Sequence, residues 1–165
     1  MMSPIVNPNA HGAASQGSIV GSKYSDELNT AYLYAYRRSI TTIPYINSAN
    51  LMGVLTREQL AKIIVNFAMK VMEREPDTTK DCYFNDLVGV TTEMKTYIKV
   101  ACQLDLMGVG IDKFYPKNKV TRAEFGTILS RSLRGSTYNQ DGADFYSSHL
   151  AALNGLGIIK QIDNP

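Results

Sequence analysis

"KVTRAEFGTILSRSL", residues 119–133, holds the start of a helix and a puzzle. Thr121-x-x-Glu124 reads as a capping box. The Thr hydroxyl accepts from the backbone N–H at the third helical position, and the Glu carboxylate reaches back to the Thr N–H. Arg122 sits between them, although a cation in the first turn opposes the positive end of the helix dipole. The same oddity stands in "VLTREQLAKIIVNF" (54–67), where Arg57 follows Thr56 and Gln59 completes the box. Capping explains Thr and Glu and gives no reason for Arg. Two readings of the cation follow. It can be an internal pair, with Asp86 or Asp112 neutralising Arg122 and fastening a loop to the helix. Or it can serve an anion: free N–H groups at a helix start favour a carboxylate or phosphate, and a guanidinium beside them adds bidentate geometry.

Outward from this turn the chain reads as all-α. Residues 1–23, rich in Gly, Ser, Asn, Ala and Pro, have no helical or strand period and read as a flexible leader or linker. Ser25 caps a helix to about Arg38 with Leu28, Ala31, Tyr32 and Ala35 on one stripe. From Arg57 a longer helix aligns Leu60, Ile63, Ile64, Phe67, Ala68 and Val71, and Pro76 ends it by disfavouring helix at Glu75. Met94, Tyr97, Ile98, Ala101 and Leu104 mark the next. Phe125, Ile128, Leu129 and Leu133 mark another, with Gly135 placed for its C-terminal turn. Phe145, His149, Leu150, Leu153 and Leu156 mark the last.

The pattern repeats. "YIKVACQLDLM" (97–107) superposes on "AYLYAYRRSIT" (31–41), so that Ala101 falls on Ala35 and Leu106 on Ile40; Thr121-Arg122 falls on Thr56-Arg57 with a shift of 65. A third copy of the first helix stands in "SHLAALNGLGII", where Leu150, Leu153, Ile158 and Ile159 answer Ile98, Ala101, Leu106 and Met107. Its Arg-bearing turn would fall about eight residues beyond Pro165, so the third repeat is partial.

Composition narrows the function. The 165 residues, 44% hydrophobic, suffice for one compact core. A net charge of +2 argues against nonspecific nucleic-acid binding, which needs a clustered basic surface. No apolar run is long enough to span a membrane. The opening residues lack the pattern of a secretory signal, so either export is directed by sequence outside these residues or they belong to a longer product, and the compartment is not settled by them. Cys82 and Cys102 allow at most one internal disulfide and cannot build a four-ligand zinc site; two buried thiols are the alternative. No metal site or cofactor is expected. Catalysis is not expected either: there is no zincin, nucleophile-elbow, P-loop or dinucleotide fingerprint. His149 lies on a core stripe, His11 lies in the leader, and Asp141 and Asp144 suit turn formation. The loop before Thr121 has Asp112 but lacks the alternating carboxylates and closing Glu of a calcium site.

Repeat two, from "CYFNDL" through "YIKVACQLDLMGVGIDKFYPKNKVTRAEFGTILSRSL", resembles the S-layer homology domain. The features are Phe84 and Asp86, the helix ending in Leu106-Met107-Gly108, Phe114 and Pro116, and Val120-Thr121-Arg122-Ala123-Glu124-Phe125. The likeness extends over about residues 24–165. It implies repeat one at 24–77, repeat two at 78–137 and a partial repeat three at 138–165, packed as a pseudo-threefold helical bundle. It further implies a noncatalytic, extracellular module of the bacterial cell surface. Such a module attaches a protein to the envelope by binding an acidic secondary cell-wall polysaccharide, often one carrying a pyruvate ketal. By matching position the ligand residues are Arg122 and Arg57, then Gln103 and Gly108. The family's aromatic near the first helix has no Trp here, and Tyr97 or Tyr115 is the implied substitute. Within this frame a Cys82–Cys102 bridge would pin the Phe-x-Asp turn to the helix of the same repeat. A protein partner or the remainder of a longer chain would complete repeat three. The rival reading is an assembly subunit of a surface layer or appendage that binds no glycan, with Tyr34 or Tyr36 exposed for a partner.

Overall fold

The computed structural model describes residues 22–163. The leader read over 1–23 lies outside the described residues except for its last two positions. Five α-helices form among the described residues: α1 (Asp26–Arg37), α2 (Arg57–Lys70), α3 (Thr92–Gln103), α4 (Arg122–Arg134) and α5 (Ser147–Gly155). Extended pairing there is limited to one isolated antiparallel bridge between Thr56 and Lys119. The fold is all-α, as the periodicity indicates.

The chain divides into two compact units, Met1–Gly53 and Val54–Pro165. The division falls inside the span 24–77, so α1 belongs to the first unit and α2 to the second. In the first unit Ser25 caps α1 by accepting from the Leu28 N–H. Tyr32 is buried on α1 and donates its hydroxyl to the Ile43 carbonyl at 2.8 Å, while Tyr34 and Tyr36 are exposed.

In the second unit α2 packs along α3, and α4 packs on both α5 and α2. Leu60, Ile64 and Val65 of α2, Ile98 and Ala101 of α3, and Ile128 of α4 enclose the loop residues Leu106, Met107 and Phe114. Burial of each large side chain contributes about 1.5–3 kcal/mol. The Phe-x-Asp turn organises that loop. Phe84 meets Phe114 edge-on with ring centroids 5.4 Å apart. The Asp86 carboxylate accepts from the backbone N–H groups of Phe114 and Tyr115 at 2.9 and 2.7 Å. Cys82 and Cys102, 20 residues apart, form a disulfide that ties this turn to α3. Closing a loop of that length is worth roughly 3 kcal/mol.

Three helices end in the same way. A residue with positive φ (Ser39, Asp105, Gly157) is followed by one whose N–H returns five positions: Ile40 to Ala35, Leu106 to Ala101, Ile158 to Leu153. These are the positions at which the internal copies superpose. The 6→1 bond is that of a Schellman turn, which satisfies carbonyls left over at a helix end.

Helix α4 departs from its apolar pattern. Its buried face is Ala123, Gly126, Thr127, Ile128, Ser130 and Ser132, while Phe125 is exposed. Small residues turn inward because α5 lies very close: a Cβ on Gly126 would stand 2.2 Å from Leu150 Cδ2. His149 of α5 is fully buried, its Nδ1 2.9 Å from Ser130 Oγ and its Nε2 3.1 Å from Asn139 Oδ1. It is a core histidine.

Two outcomes follow from this packing. Gly108 has φ 76°, and a Cβ there would stand 2.6 Å from Phe84 Cζ. Gly108→Ala is expected to lower stability by about 1–3 kcal/mol, read by urea unfolding. Burial, helped by the charge of Arg131, holds the His149 pKa below its ordinary value. The unfolded chain therefore binds the extra proton first, and stability should decline as pH falls below about 6.5 toward the lower folded value. His149→Gln should flatten that part of the stability–pH curve.

Candidate functional site

The two Thr-Arg turns have the same local build. Thr56 accepts from the Gln59 N–H and Gln59 returns to the Thr56 N–H; Thr121 and Glu124 do the same. Beyond the capping boxes they diverge.

The first turn is closed by the protein itself. Residues 116–120 run beside it: the Arg57 N–H donates to the Asn118 carbonyl, the Glu58 N–H to the Pro116 carbonyl, and the Val120 N–H to the Leu55 carbonyl. The first two bonds consume donors that the start of α2 would otherwise present. The guanidinium is equally engaged. Its Nε donates to the Phe114 carbonyl at 2.8 Å, its carbon lies 5.1 Å from the Phe114 ring centroid, and Nη1 meets Glu124 Oε1 at 2.7 Å. The Arg57 side chain is only 14% exposed. Arg57 is an internal pair.

The second turn is open. Arg122 is exposed, and its Nη2 donates to the Gln161 carbonyl at 3.1 Å. Among the described residues no carboxylate lies within salt-bridge distance of it, and the N–H groups of Arg122 and Ala123 have no acceptor. The partners that the sequence offered for Arg122 are elsewhere: Asp86 caps the Phe114–Tyr115 backbone, and the Asp112 carbonyl accepts from the Asn85 N–H.

Arg122 stands at a groove of about 560 Å³ between the start of α4 and the segment after α5. Phe125, Leu150 and Ile158 supply apolar wall, Lys160 adds a second cation, and among the described residues no acid lines it. A second groove of about 340 Å³ is lined by Arg57, Gly108, Glu124 and Arg131, and there the Arg57 charge is already met by Glu124. The sequence-derived ligand set thus divides. Arg122 lines the first groove, and Arg57 and Gly108 line the second. Gln103 is buried at the end of α3 and lines neither. Tyr115 is half-exposed, Tyr97 lies 5.6 Å from Lys62 Nζ, and neither borders the first groove.

Sequence reading missed Phe125 and Lys160 at this groove. Phe125 lies on the apolar stripe that marks α4, and the stripe does not say that its ring is exposed. Lys160 had a signal: it falls on Gly108 when Ile158-Ile159 is laid on Leu106-Met107.

Substitution at the two turns should separate their roles. Glu124→Gln keeps the capping box, since Gln59 already serves in one, and removes the charge from Arg57; it should cost about 1–2 kcal/mol in chemical unfolding. Arg122→Ala should stay within about 0.5 kcal/mol of the parent.

Residues 83–125 match the family model of the S-layer homology domain. No curated protein and no solved structure matches the chain. The matched stretch contains the Phe-x-Asp turn, all of α3, the Phe114–Pro116 loop and the Arg122 turn. Among the described residues no helix is long and apolar enough to cross a membrane. Over residues 83–125 the chain is thus similar to the S-layer homology domain, a family of cell-surface anchoring modules that generally bind cell-wall polymers.

Proposed function

We propose that the protein attaches noncatalytically to the bacterial envelope by binding an acidic secondary cell-wall polysaccharide in the groove at Arg122. The observation that carries this reading is an exposed guanidinium, without a carboxylate partner among the described residues, at the lip of a groove lined by a second cation and no acid.

The internal copy indicates the chemistry. At the first turn the same Thr-Arg geometry receives a carboxylate on the guanidinium and carbonyl oxygens on the first helical N–H groups. At the second turn the guanidinium is exposed and the matching N–H groups have no acceptor among the described residues. A sugar bearing a carboxylate, such as a pyruvate ketal, offers both kinds of oxygen, and a charge-assisted bidentate contact is the strong form of such a bond. Phe125 and Ile158 give the apolar face of a sugar ring something to lie against. Arg57 has a positioning role in this reading, since it anchors Glu124 and thereby the turn that holds Arg122. The repeat spans 24–77, 78–137 and 138–165 belong to the same proposal, as does extracellular placement.

Sedimentation with purified sacculi tests it. Wild type should bind, and Arg122→Ala should lose about tenfold in affinity, the value of one charge-assisted contact. Arg57→Ala, corrected for its folded fraction, should retain most binding. Equal binding by wild type and Arg122→Ala, or none by either, would instead favour the assembly subunit without glycan.

A further inference from the structure

We propose a second saccharide-binding face on repeat two, in which Tyr83 stacks on a pyranose ring and Lys95 and Lys99 hold its carboxylate. The face is a shallow pocket of about 390 Å³ between the turn at Cys82–Val88 and the outer side of α3. It rests on the wall-polymer reading for the source of the sugar, and it uses none of the residues of the Arg122 groove.

Three observations carry it. First, among the described residues the pocket wall contains two cations and no acid. Lys95 and Lys99 are one helical turn apart on α3, where like charges repel. Three other lysines are held in ion pairs: Lys62 with Glu93, Lys80 with Asp105 and Lys117 with Glu58. Lys95 and Lys99 have no such partner among the described residues. Of the acids near in sequence, Asp86 is committed to the Phe114 and Tyr115 N–H groups, Glu93 to Lys62 and Asp105 to Lys80, and Asp81, next to Cys82, is not among the residues that line the pocket.

Second, Tyr83 is 76% exposed and Val88 94% exposed on the same rim. An aromatic ring left in water beside ammonium groups suits a ligand with one apolar face and one anionic substituent. Acidic pyranoses have both. Lysine ammonium groups act as mobile point charges and so tolerate different positions of the acid on the ring.

Third, the face is pre-organised. Tyr83 stands between Cys82, held to α3 by the disulfide, and Phe84, packed on Phe114. Little loop entropy is then lost on binding. A polymer that reached both this pocket and the Arg122 groove would gain avidity from the joint engagement.

The test is a chemical-shift titration with tri-galacturonic acid, with maltotriose as the neutral control. The Tyr83 ring and the Lys95 and Lys99 side chains should shift with the acid and not with maltotriose. The shifts should persist in Arg122→Ala and vanish in the double variant Lys95→Gln/Lys99→Gln. That double variant should also weaken sacculus binding by about three- to tenfold at low salt, as expected for two exposed charge contacts. Absence of shifts at Tyr83, or equal shifts in the double variant, overturns the proposal. Neither result touches the Arg122 groove, whose failure is read separately by Arg122→Ala on sacculi.

Discussion

Glu124 is the residue on which the second unit turns. One oxygen caps the start of α4 through the Thr121 N–H, and the other takes the Arg57 guanidinium from the start of α2. Two helix starts, 65 positions apart in the chain, are thus locked by a single carboxylate. Arg57 in turn holds the Phe114 carbonyl, and Phe114 is the fully buried ring against which Phe84 packs. The clasp therefore extends from α2 through the core loop to the Phe-x-Asp turn. Its charges sit in a partly desolvated place, where a lost partner leaves an uncompensated ion. The cation that looked misplaced in the first turn of α2 is explained by this pairing.

The segment 114–120 does for the first turn what nothing among the described residues does for the second. It supplies a ring beneath the guanidinium, a carbonyl to Nε and two carbonyls to the helical N–H groups. The same chemistry laid over Arg122 would need an acid and several neutral oxygens in one ligand. Carboxylated sugars meet that description, whereas a free small anion lacks the array of neutral oxygens. The two turns share Thr-Arg and a capping box, yet one is closed by polypeptide and one is left open among the described residues.

Much of this was legible in the residues. Capping boxes at Thr56 and Thr121, the Gly135 turn and the register of the three Schellman ends all follow from local chemistry, which a sequence states directly. The inward face of α4 was less legible. Its buried positions are Ala, Gly, Thr and Ser, and hydrophobic periodicity has no means of finding a face chosen for close approach. The exposure of Phe125 was illegible for the same reason, since apolar character marks a groove wall as readily as a core. The Arg57–Glu124 pair was out of reach too. Nothing in the spacing says which acid meets which base across 67 residues, and Asp86, one of the two acids offered for Arg122, is committed to backbone donors.

The energetics separate the two arginines more sharply than their geometry. A cation at a helix start costs about 0.3–1 kcal/mol against the dipole. For Arg57 a short ion pair, a carbonyl bond and a ring contact offset that cost within the fold. For Arg122 the offset is one exposed bond to the Gln161 carbonyl, a contact worth little in water. Its charge also shares a groove with Lys160, which adds repulsion where no acid relieves it. Folding alone favours an acidic or neutral residue at this position. Sites that break a local rule without a compensating contact are where function is most often found. A wall polymer delivering a carboxylate would supply the missing compensation at the moment of attachment, so that the unfavourable electrostatics of the free protein become part of the affinity of the bound one.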